Sequence, residues 1–286
     1  MTSLRMSRRP VFYLALALGI AASTGAAQAQ GCPQGLPLTE AGKLTMSINA
    51  TIPPKQYIDA AGKLQGLHVE LGNEIAKRMC LEPVYQNVQF EVQVPGLQNK
   101  RWDVINTGLF FTEARTKTMR LIPFSVNALA VIVAPGNPLK VTKPEDLAGR
   151  MVGTEIAGFE EKKLREINAD QVAKGLKSMD IKVFNTYGDV YLALRAGQIE
   201  AVFSGDAIGT YYQEQGKFTK AATGLFPGTP GTFATIEPKI ADAMVAALNA
   251  MMKDGTYQKM MDAFGTTKID AWSNWKGTFE AHYTGS

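Results

Sequence analysis

Apolar and polar residues alternate along the chain with two different periods. Leu44, Met46 and Ile48 lie two positions apart, which predicts a strand over residues 43–49. The apolar residues of segment 67–79 recur every three or four positions, which predicts an amphipathic helix. The same signals predict strands over 83–88, 104–105, 129–134, 151–156, 181–184, 200–204 and 233–236, and helices over 92–98, 160–173, 189–196, 207–215, 238–253 and 256–264. Strands that alternate with helices predict an α/β fold, with a parallel sheet covered by helices.

The alternation occurs twice, and a break separates the two halves. Residues 135–138, Pro-Gly-Asn-Pro, follow a β-branched strand and suit a crossing between domains. A turn at 228–231 precedes the strand that returns to the first half. We therefore expect two lobes, each with a central sheet flanked by helices, joined by two crossing strands. The first lobe is placed at 30–128 and 226–286, and the second at 129–225. A cleft between two lobes is a typical site for a small ligand.

The N-terminus has the pattern of a secretory signal peptide. Arg5, Arg8 and Arg9 precede an apolar run over 11–22, and Ala-Gln-Ala at 27–29 matches the small-residue cleavage pattern. The run is shorter than the roughly 20 residues that span a bilayer. We expect residues 1–29 to be removed near Ala29 and the mature protein to be soluble and periplasmic.

Net charge and cysteine content limit the kinds of partner that the protein can have. The whole chain carries a formal charge of +4, and the signal peptide contains three arginines and no acidic residue. The mature chain is therefore nearly neutral, which argues against nucleic acid as a partner. Cys32 and Cys80 either form a disulfide in the oxidising compartment or stay free. No cluster of metal-ligand residues is visible, and neither a metal nor a cofactor is expected.

The stretch from Trp102 to Arg115 carries the most specific chemistry. It runs from the short apolar strand 104–105 through Gly108 to a single arginine. A guanidinium at such a position suits bidentate capture of a carboxylate. The alternative is an ion pair between Arg115 and the neighbouring Glu113.

Several segments, in this order and spacing, resemble the polar amino-acid-binding group of the periplasmic solute-binding proteins of ABC transporters. Each segment is weak alone, and together they cover nearly the whole mature chain. The segments are Gly62 to Leu71, Pro95 to Gln98, Trp102 to Val104, Thr112 to Arg115, Pro123 to Ser125, Pro144 to Gly149, Val152-Gly153, Ala193 to Ala201 and Lys253 to Tyr257.

The resemblance implies a type II periplasmic binding fold, two lobes that close over a ligand. It also implies that Arg115 holds the carboxylate of the ligand. Thr112 belongs to the same motif, and the backbone around Gly108 and Phe110 would line the amine and carboxylate side.

At other positions the chain departs from the family. Phe110 stands where the family usually has Thr or Ser, and Gly158-Phe159 stands where a Gly-Thr or Gly-Ser pair binds the carboxylate. Gly205 stands in place of the aspartate that pairs with the ligand ammonium, with Asp206 one position later. Lys55 replaces an aromatic residue. The pocket is therefore expected to be more apolar than is usual in the family.

The remaining candidates each have a structural alternative. Asp206 either pairs with a ligand cation or caps a helix that starts at Ala207. Glu155 either takes the cation-binding role or is solvated. The other candidates are Phe110 and Phe159 as walls of the cleft or core residues, Gly158 as an N–H donor to an anion, Asn49 at the carboxyl end of the first strand, Tyr57 beside the cleft, and Lys55 as a partner for a second acidic group of the ligand or as an exposed, solvated lysine.

Together these features predict a receptor rather than an enzyme. The expected function is capture of a small carboxylate-bearing solute, an amino acid or related organic acid, and delivery to an ABC permease in the inner membrane. A monomer is expected. The alternatives are an exported dehydratase that acts on a cyclic carboxylic acid, and a sensor that docks on a membrane signalling protein.

Overall fold

The computed structural model describes residues 31–285. The predicted signal peptide lies outside the described residues. The strands are β1 (Lys43–Ile48), β2 (Thr51–Ile52), β3 (Gln56–Ile58), β4 (Leu64–Gln65), β5 (Glu82–Asn87), β6 (Val104–Ile105), β7 (Arg120–Val133), β8 (Met151–Glu155), β9 (Asp180–Phe184), β10 (Ala201–Gly205) and β11 (Thr219–Thr235). The α-helices are α1 (Leu67–Arg78), α2 (Gln93–Gln98), α3 (Glu113–Thr116), α4 (Phe159–Ala173), α5 (Tyr187–Arg195), α6 (Asp206–Glu214), α7 (Pro238–Lys253) and α8 (Thr256–Ala263). Short 3₁₀ helices occupy Phe90–Val92, Pro144–Leu147 and Ile269–Ala271.

The main sheet has eight strands in the order β5-β1-β6-β11-β7-β10-β8-β9. The outer groups are parallel: β1 pairs with β5 and β6, and β8 pairs with β9 and β10. Strands β7 and β11 run antiparallel to each other between the two groups. We call the group around β1 the first lobe and the group around β8 the second lobe. The α/β architecture predicted from the alternation of strands and helices is confirmed.

The two crossing strands are longer than their sequence pattern indicates. Strand β7 extends the predicted strand 129–134 back to Arg120, and β11 extends the predicted strand 233–236 back to Thr219. The turn predicted at 228–231 lies inside β11 and is wrong. Residues 223–231 contain three glycines and two prolines, which locally indicate a turn, but β7 supplies partners for Leu225 and for residues 229–231, with register shifts where the pairing breaks. The predicted lobe boundaries at 128/129 and 225/226 fall inside β7 and β11 and stay a prediction.

Helix α1 shows why the first lobe folds as its sequence pattern indicates. Leu67, Leu71 and Ile75 are fully buried on one face, as their helical spacing predicts. This face packs in one apolar cluster with the buried faces of α7 and α8. Trp102, expected in the core, is 1% exposed and its indole N–H donates to the carbonyl of Gln93 at 3.1 Å.

A disulfide ties the start of the described chain to the end of α1. The Sγ atoms of Cys32 and Cys80 are bonded, and their Cα atoms lie 5.5 Å apart. Among residues 31–285, no helix combines the length and apolar character needed to cross a membrane. The same residues contain no group of three His, Cys, Asp or Glu side chains placed to hold a metal ion.

Candidate functional site

A cavity lies where the two lobes face each other across β7 and β11. We call it the central cavity. Its volume open to a water molecule is about 30 Å³, room for only a few waters. The first lobe and the crossing strands contribute Ile52, Lys55, His68, Thr107, Gly108, Phe110, Ser125, Asn127 and Gly231, and the second lobe contributes Glu160, Tyr187, Gly205, Ala207 and Ile208.

Lys55 brings a positive charge into the central cavity from the turn between β2 and β3. Its ammonium donates a hydrogen bond to Oδ1 of Asn127 on β7. Its carbonyl accepts a hydrogen bond from the His68 N–H at 2.9 Å, in the first turn of α1. Burial lowers the pKa of Lys55 to about 8, although the charges of Glu160 and Asp206 act in the opposite direction. The lysine is therefore still mostly protonated at neutral pH.

Glu160 brings a negative charge into the same cavity from the second lobe. It is the second residue of α4 and is 8% exposed. Burial raises the pKa of Glu160, and its own backbone N–H, Arg115, Tyr187 and Lys55 each act to lower it. Lys55 influences this carboxylate by charge through space and not by a hydrogen bond. The cavity therefore contains an ammonium group from the first lobe and a carboxyl group from the second.

His68 is a neutral wall of the cavity. Burial, together with the charge of Lys55, lowers the pKa of His68 to about 3. Its Nδ1 lies 3.0 Å from Oδ1 of Asn106, and its ring meets Phe124 edge to face. A neutral imidazole fixed in this way can supply shape, but it cannot supply charge at physiological pH.

The structure places Arg115 outside the central cavity. Its guanidinium donates to the carbonyl of Phe110 at 2.7 Å and lies 5.8 Å from the ring centre of Phe90. This contact takes the place of the ion pair with Glu113 that was the alternative. Burial lowers the pKa of Arg115 to about 10, against the effect of Glu160.

A stacked aromatic pair lies where the central cavity and the groove of Arg115 adjoin. Phe110 and Phe159 are stacked with ring centres 5.0 Å apart. Phe110 faces the central cavity, whereas Phe159 lines a surface groove together with Arg115, Thr112 and Gly158. Within this groove Thr112 acts as the N-cap of α3, its hydroxyl accepting the backbone N–H of Arg115 at 3.2 Å. The predicted carboxylate-binding residues therefore lie together, but on the far side of the pair from Lys55.

Asp206 lies in a network at the surface of the second lobe. Its carboxylate forms an ion pair with Lys220 at 2.8 Å and accepts hydrogen bonds from the Thr223 hydroxyl and the Gly224 N–H. The helix starts at Asp206 itself and its N-cap is Gly205. The prediction that Asp206 caps a helix from Ala207 is therefore wrong, because Lys220 and Thr223 hold the carboxylate instead.

Glu155 and Asn49 form a direct link between the lobes. Nδ2 of Asn49, just after β1, donates to Oε1 of Glu155, at the end of β8, at 2.6 Å. Glu155 is 3% exposed, so the alternative that it is solvated is wrong; closure of the lobes covers it. Tyr57 makes a second contact between the lobes, in which the centre of its ring lies 6.2 Å from the centre of the Tyr211 ring.

The central cavity thus contains Gly108 and Phe110 from the predicted set, together with Lys55. Sequence reasoning missed its most important acidic residue, Glu160, and also Tyr187, Asn127 and Thr107. An acidic residue in the first turn of a helix is usually explained by its favourable interaction with the helix dipole. Because Glu160 fits this common role, its position gave no reason to expect it in the cavity. No sequence motif marks Asn127, which is a polar residue within β7.

Burial of Glu155 makes one prediction about pH. Burial raises its pKa from 4.5 to about 8, and Glu160 adds to the effect. The folded protein therefore favours the protonated carboxyl, and the stability gained from this group is complete below pH 4.5 and lost as the pH rises through about 8. Glu155→Gln keeps an acceptor for Asn49 and cannot ionise. Between pH 4.5 and about 8, we expect the free energy of unfolding of Glu155→Gln to rise progressively above that of the wild type. The difference should reach a few kcal/mol at most, because a change of one in pKa corresponds to about 1.4 kcal/mol.

Urea unfolding at a series of pH values measures this difference. Glu145→Gln, at an exposed position in a 3₁₀ helix, is the matched control and should follow the wild-type curve. If the curves of Glu155→Gln and the wild type run parallel from pH 4.5 to 9, the carboxyl does not titrate with a raised pKa.

Two lobes that share a sheet through two crossing strands, with a cavity between them, define the type II periplasmic binding proteins. The chain belongs to the family of bacterial extracellular solute-binding proteins, family 3, whose model matches residues 44–267. It is 25% identical to the ABC transporter arginine-binding protein 1 of Escherichia coli K12, over 77% of this chain and 89% of that protein. It is 27% identical to the lysine/arginine/ornithine-binding periplasmic protein of the same strain, over 86% and 94%. A solved ancestral arginine-binding protein bound to glutamine has 28% identity and a TM-score of 0.71, over 79% of this chain and 98% of that one.

Proposed function

We propose that this protein is a periplasmic receptor that captures a small carboxylate-bearing solute, an amino acid or a related organic acid, and delivers it to an ABC permease. The observation that carries the proposal is the central cavity, which has charged walls from both lobes. A solute that contacts Lys55 and Glu160 at once stabilises the arrangement in which the lobes are together. The permease then has a distinct shape to recognise.

The relatives support an amino acid or a similar solute. Their names specify arginine, cystine, lysine, ornithine and histidine binding, and all of these ligands carry a carboxylate. These proteins are binding proteins, which favours the receptor over the exported dehydratase. Two of these relatives, the lysine/arginine/ornithine-binding and the histidine-binding protein, are named as periplasmic, which agrees with the signal peptide pattern of residues 1–29.

The walls of the cavity suggest a selectivity different from that implied by the family resemblance. Ile52, Phe110 and Ile208 make part of the surface apolar. Arg115, the residue that the resemblance assigns to the carboxylate, is separated from this space by Phe110. Its role as a direct ligand stays a prediction, and it requires the stacked pair to separate.

A thermal-shift screen of the mature protein tests the proposal. A solute with a micromolar Kd, added at millimolar concentration, stabilises the folded state by about 4 kcal/mol. For a chain of this length, a stabilisation of that size raises Tm by roughly 8–16 °C. We expect such a rise with at least one amino acid or organic acid. If no carboxylate-bearing solute raises Tm, the proposed function is wrong.

Transport and sensing are distinguished by uptake. A receptor that serves a permease is required for uptake of the solute found in the screen, so deletion of its gene should abolish high-affinity uptake of that solute in labelled form. A sensor would leave uptake unchanged.

A further inference from the structure

We propose that Lys55 and Glu160 are the two charged anchors of the solute, with the anion held by Lys55 of the first lobe and the cation by Glu160 of the second lobe. The solute is then a small molecule that carries both charges. This inference rests on the proposed function and assigns the residues that determine its specificity. It differs from the expectation from the family resemblance, in which Arg115 holds the carboxylate and an acidic residue near position 206 holds the amine.

The ammonium of Lys55 has unused capacity to bind an anion. Among the described residues, its side chain has one hydrogen-bond acceptor, the neutral amide oxygen of Asn127. An ammonium group has three N–H donors. A buried cation whose only direct partner is a neutral acceptor is compensated only in part, by the more distant Glu160 and Asp206, and a ligand carboxylate in the cavity supplies a direct negative charge.

Glu160 has the complementary capacity. Its carboxyl group lies in the first turn of α4 and lines the cavity beside Tyr187. The positive end of the helix dipole offsets part of its charge, which lets the carboxylate sit in a largely buried position. A carboxylate has about four acceptor sites, so the side facing the cavity can still accept from an ammonium.

The other acidic and basic candidates are committed elsewhere. Asp206 is held by Lys220 and Thr223, and Glu155 is held by Asn49. The guanidinium of Arg115 donates to the carbonyl of Phe110. Arg115 lines the neighbouring groove and not the central cavity, so in this assignment it positions Phe110 while Lys55 and Glu160 contact the solute.

This pairing also sets selectivity. A solute with both charges leaves neither anchor unpaired. A carboxylic acid without an amine neutralises Lys55 but leaves the buried Glu160 without a cation, and an amine without a carboxylate does the reverse. Because the anchors lie on opposite lobes, the solute that satisfies both also holds the lobes together.

Calorimetric titration of Lys55→Gln and Glu160→Gln tests the assignment. The probes are three matched series: the proteinogenic amino acids, the carboxylic acids that lack their amine, and the amines that lack their carboxylate. Both substitutions remove a buried charge at nearly constant size, so we expect both variants to fold. Lys259→Gln and Glu145→Gln, at exposed positions on α8 and in a 3₁₀ helix, are the matched controls and should bind as the wild type does.

We expect Lys55→Gln to weaken binding of the best amino acid by at least about 30-fold, because truncating one partner of a buried charge pair has an effect of this size. Glu160→Gln should weaken the same amino acid similarly and should also reduce its preference over the acid that lacks the amine. Lys55→Arg should recover most of the affinity lost in Lys55→Gln, since it restores the cation.

Wild-type affinity in both Gln variants would overturn the assignment and leave the proposed function intact. If Arg115→Ala abolishes binding and Lys55→Gln does not, the assignment is also overturned, because Arg115 would then bind the carboxylate of the solute. If the wild-type protein binds nothing from the three series, the proposed function fails, and the assignment fails with it.

Discussion

Replacement of Gly66 by alanine is expected to lower the free energy of unfolding by about 2–6 kcal/mol and to weaken solute binding. Gly66 is the N-cap of α1 and has φ of 117°, a conformation that residues with a Cβ rarely adopt. An added Cβ would lie 2.3 Å from the carbonyl oxygen of Lys55 and 2.6 Å from that of Pro54. Both atoms belong to the backbone, so the turn that carries Lys55 has to move. Overpacking against fixed atoms and backbone strain each cost about 1–3 kcal/mol.

Gly62→Ala is the matched control for this effect. Gly62 also has positive φ, 80°, but an added Cβ meets nothing within 4 Å. It should therefore show the cost of backbone strain alone, about 1 kcal/mol. Urea unfolding of both variants separates the two contributions, and calorimetry with the best solute from the screen measures the shift of Lys55. Equal stability of the two variants would show that the Lys55 turn yields freely and does not hold the cation in place.

Replacement of Asp103 by alanine is expected to destabilise the protein by at least about 4 kcal/mol. The carboxylate is 5% exposed and accepts four hydrogen bonds. They come from the N–H and hydroxyl of Thr39, at 2.7 and 2.5 Å, and from the N–H and hydroxyl of Thr45, at 2.8 and 2.6 Å. Hydrogen bonds to charged groups contribute about 1.5–3 kcal/mol each, although their losses do not add fully. The substitution unties the N-terminal segment and β1 from the start of β6, which leads to Thr107 and Gly108 in the cavity wall.

Denaturant unfolding measures this loss. Asp103→Asn keeps the size of the side chain but loses the charge, and its amide nitrogen cannot accept a hydrogen bond, so an intermediate loss is expected. Asp242→Ala, at an exposed position on α7, is the surface control, for which a change within about 0.5 kcal/mol is normal. A loss below 1 kcal/mol in Asp103→Ala would contradict the view that this carboxylate holds the segments together.

Local pattern was sufficient for much of the fold. The spacing of Leu67, Leu71 and Ile75 defined α1 because one face of that helix is fully buried. The crossing strands were harder, because their stability comes from pairing with each other. Pro and Gly residues in β11 are read locally as a turn, and the pairing of β11 with β7, across about a hundred residues of chain, cannot be seen in a local window.

The site was only partly predictable, for a related reason. The motif around Arg115 located the correct part of the first lobe, but the guanidinium binds the carbonyl of Phe110 and lines a groove outside the central cavity. Asp206 had two plausible roles, and its partner Lys220 lies 14 residues away. Glu160 looked like an ordinary first-turn acid until the position of Lys55 on the other lobe was known. The side chains that share one cavity are determined by how the two lobes pack against each other, and a local sequence pattern does not contain this information.

The central claim is that a small solute draws the two lobes together. Small-angle X-ray scattering of the mature protein, with and without the best solute from the thermal-shift screen, measures it most directly. The account predicts that the solute reduces the radius of gyration of the wild type, and that the same concentration leaves the Lys55→Gln/Glu160→Gln double variant unchanged. A wild-type radius of gyration that stays constant at saturating solute would contradict it.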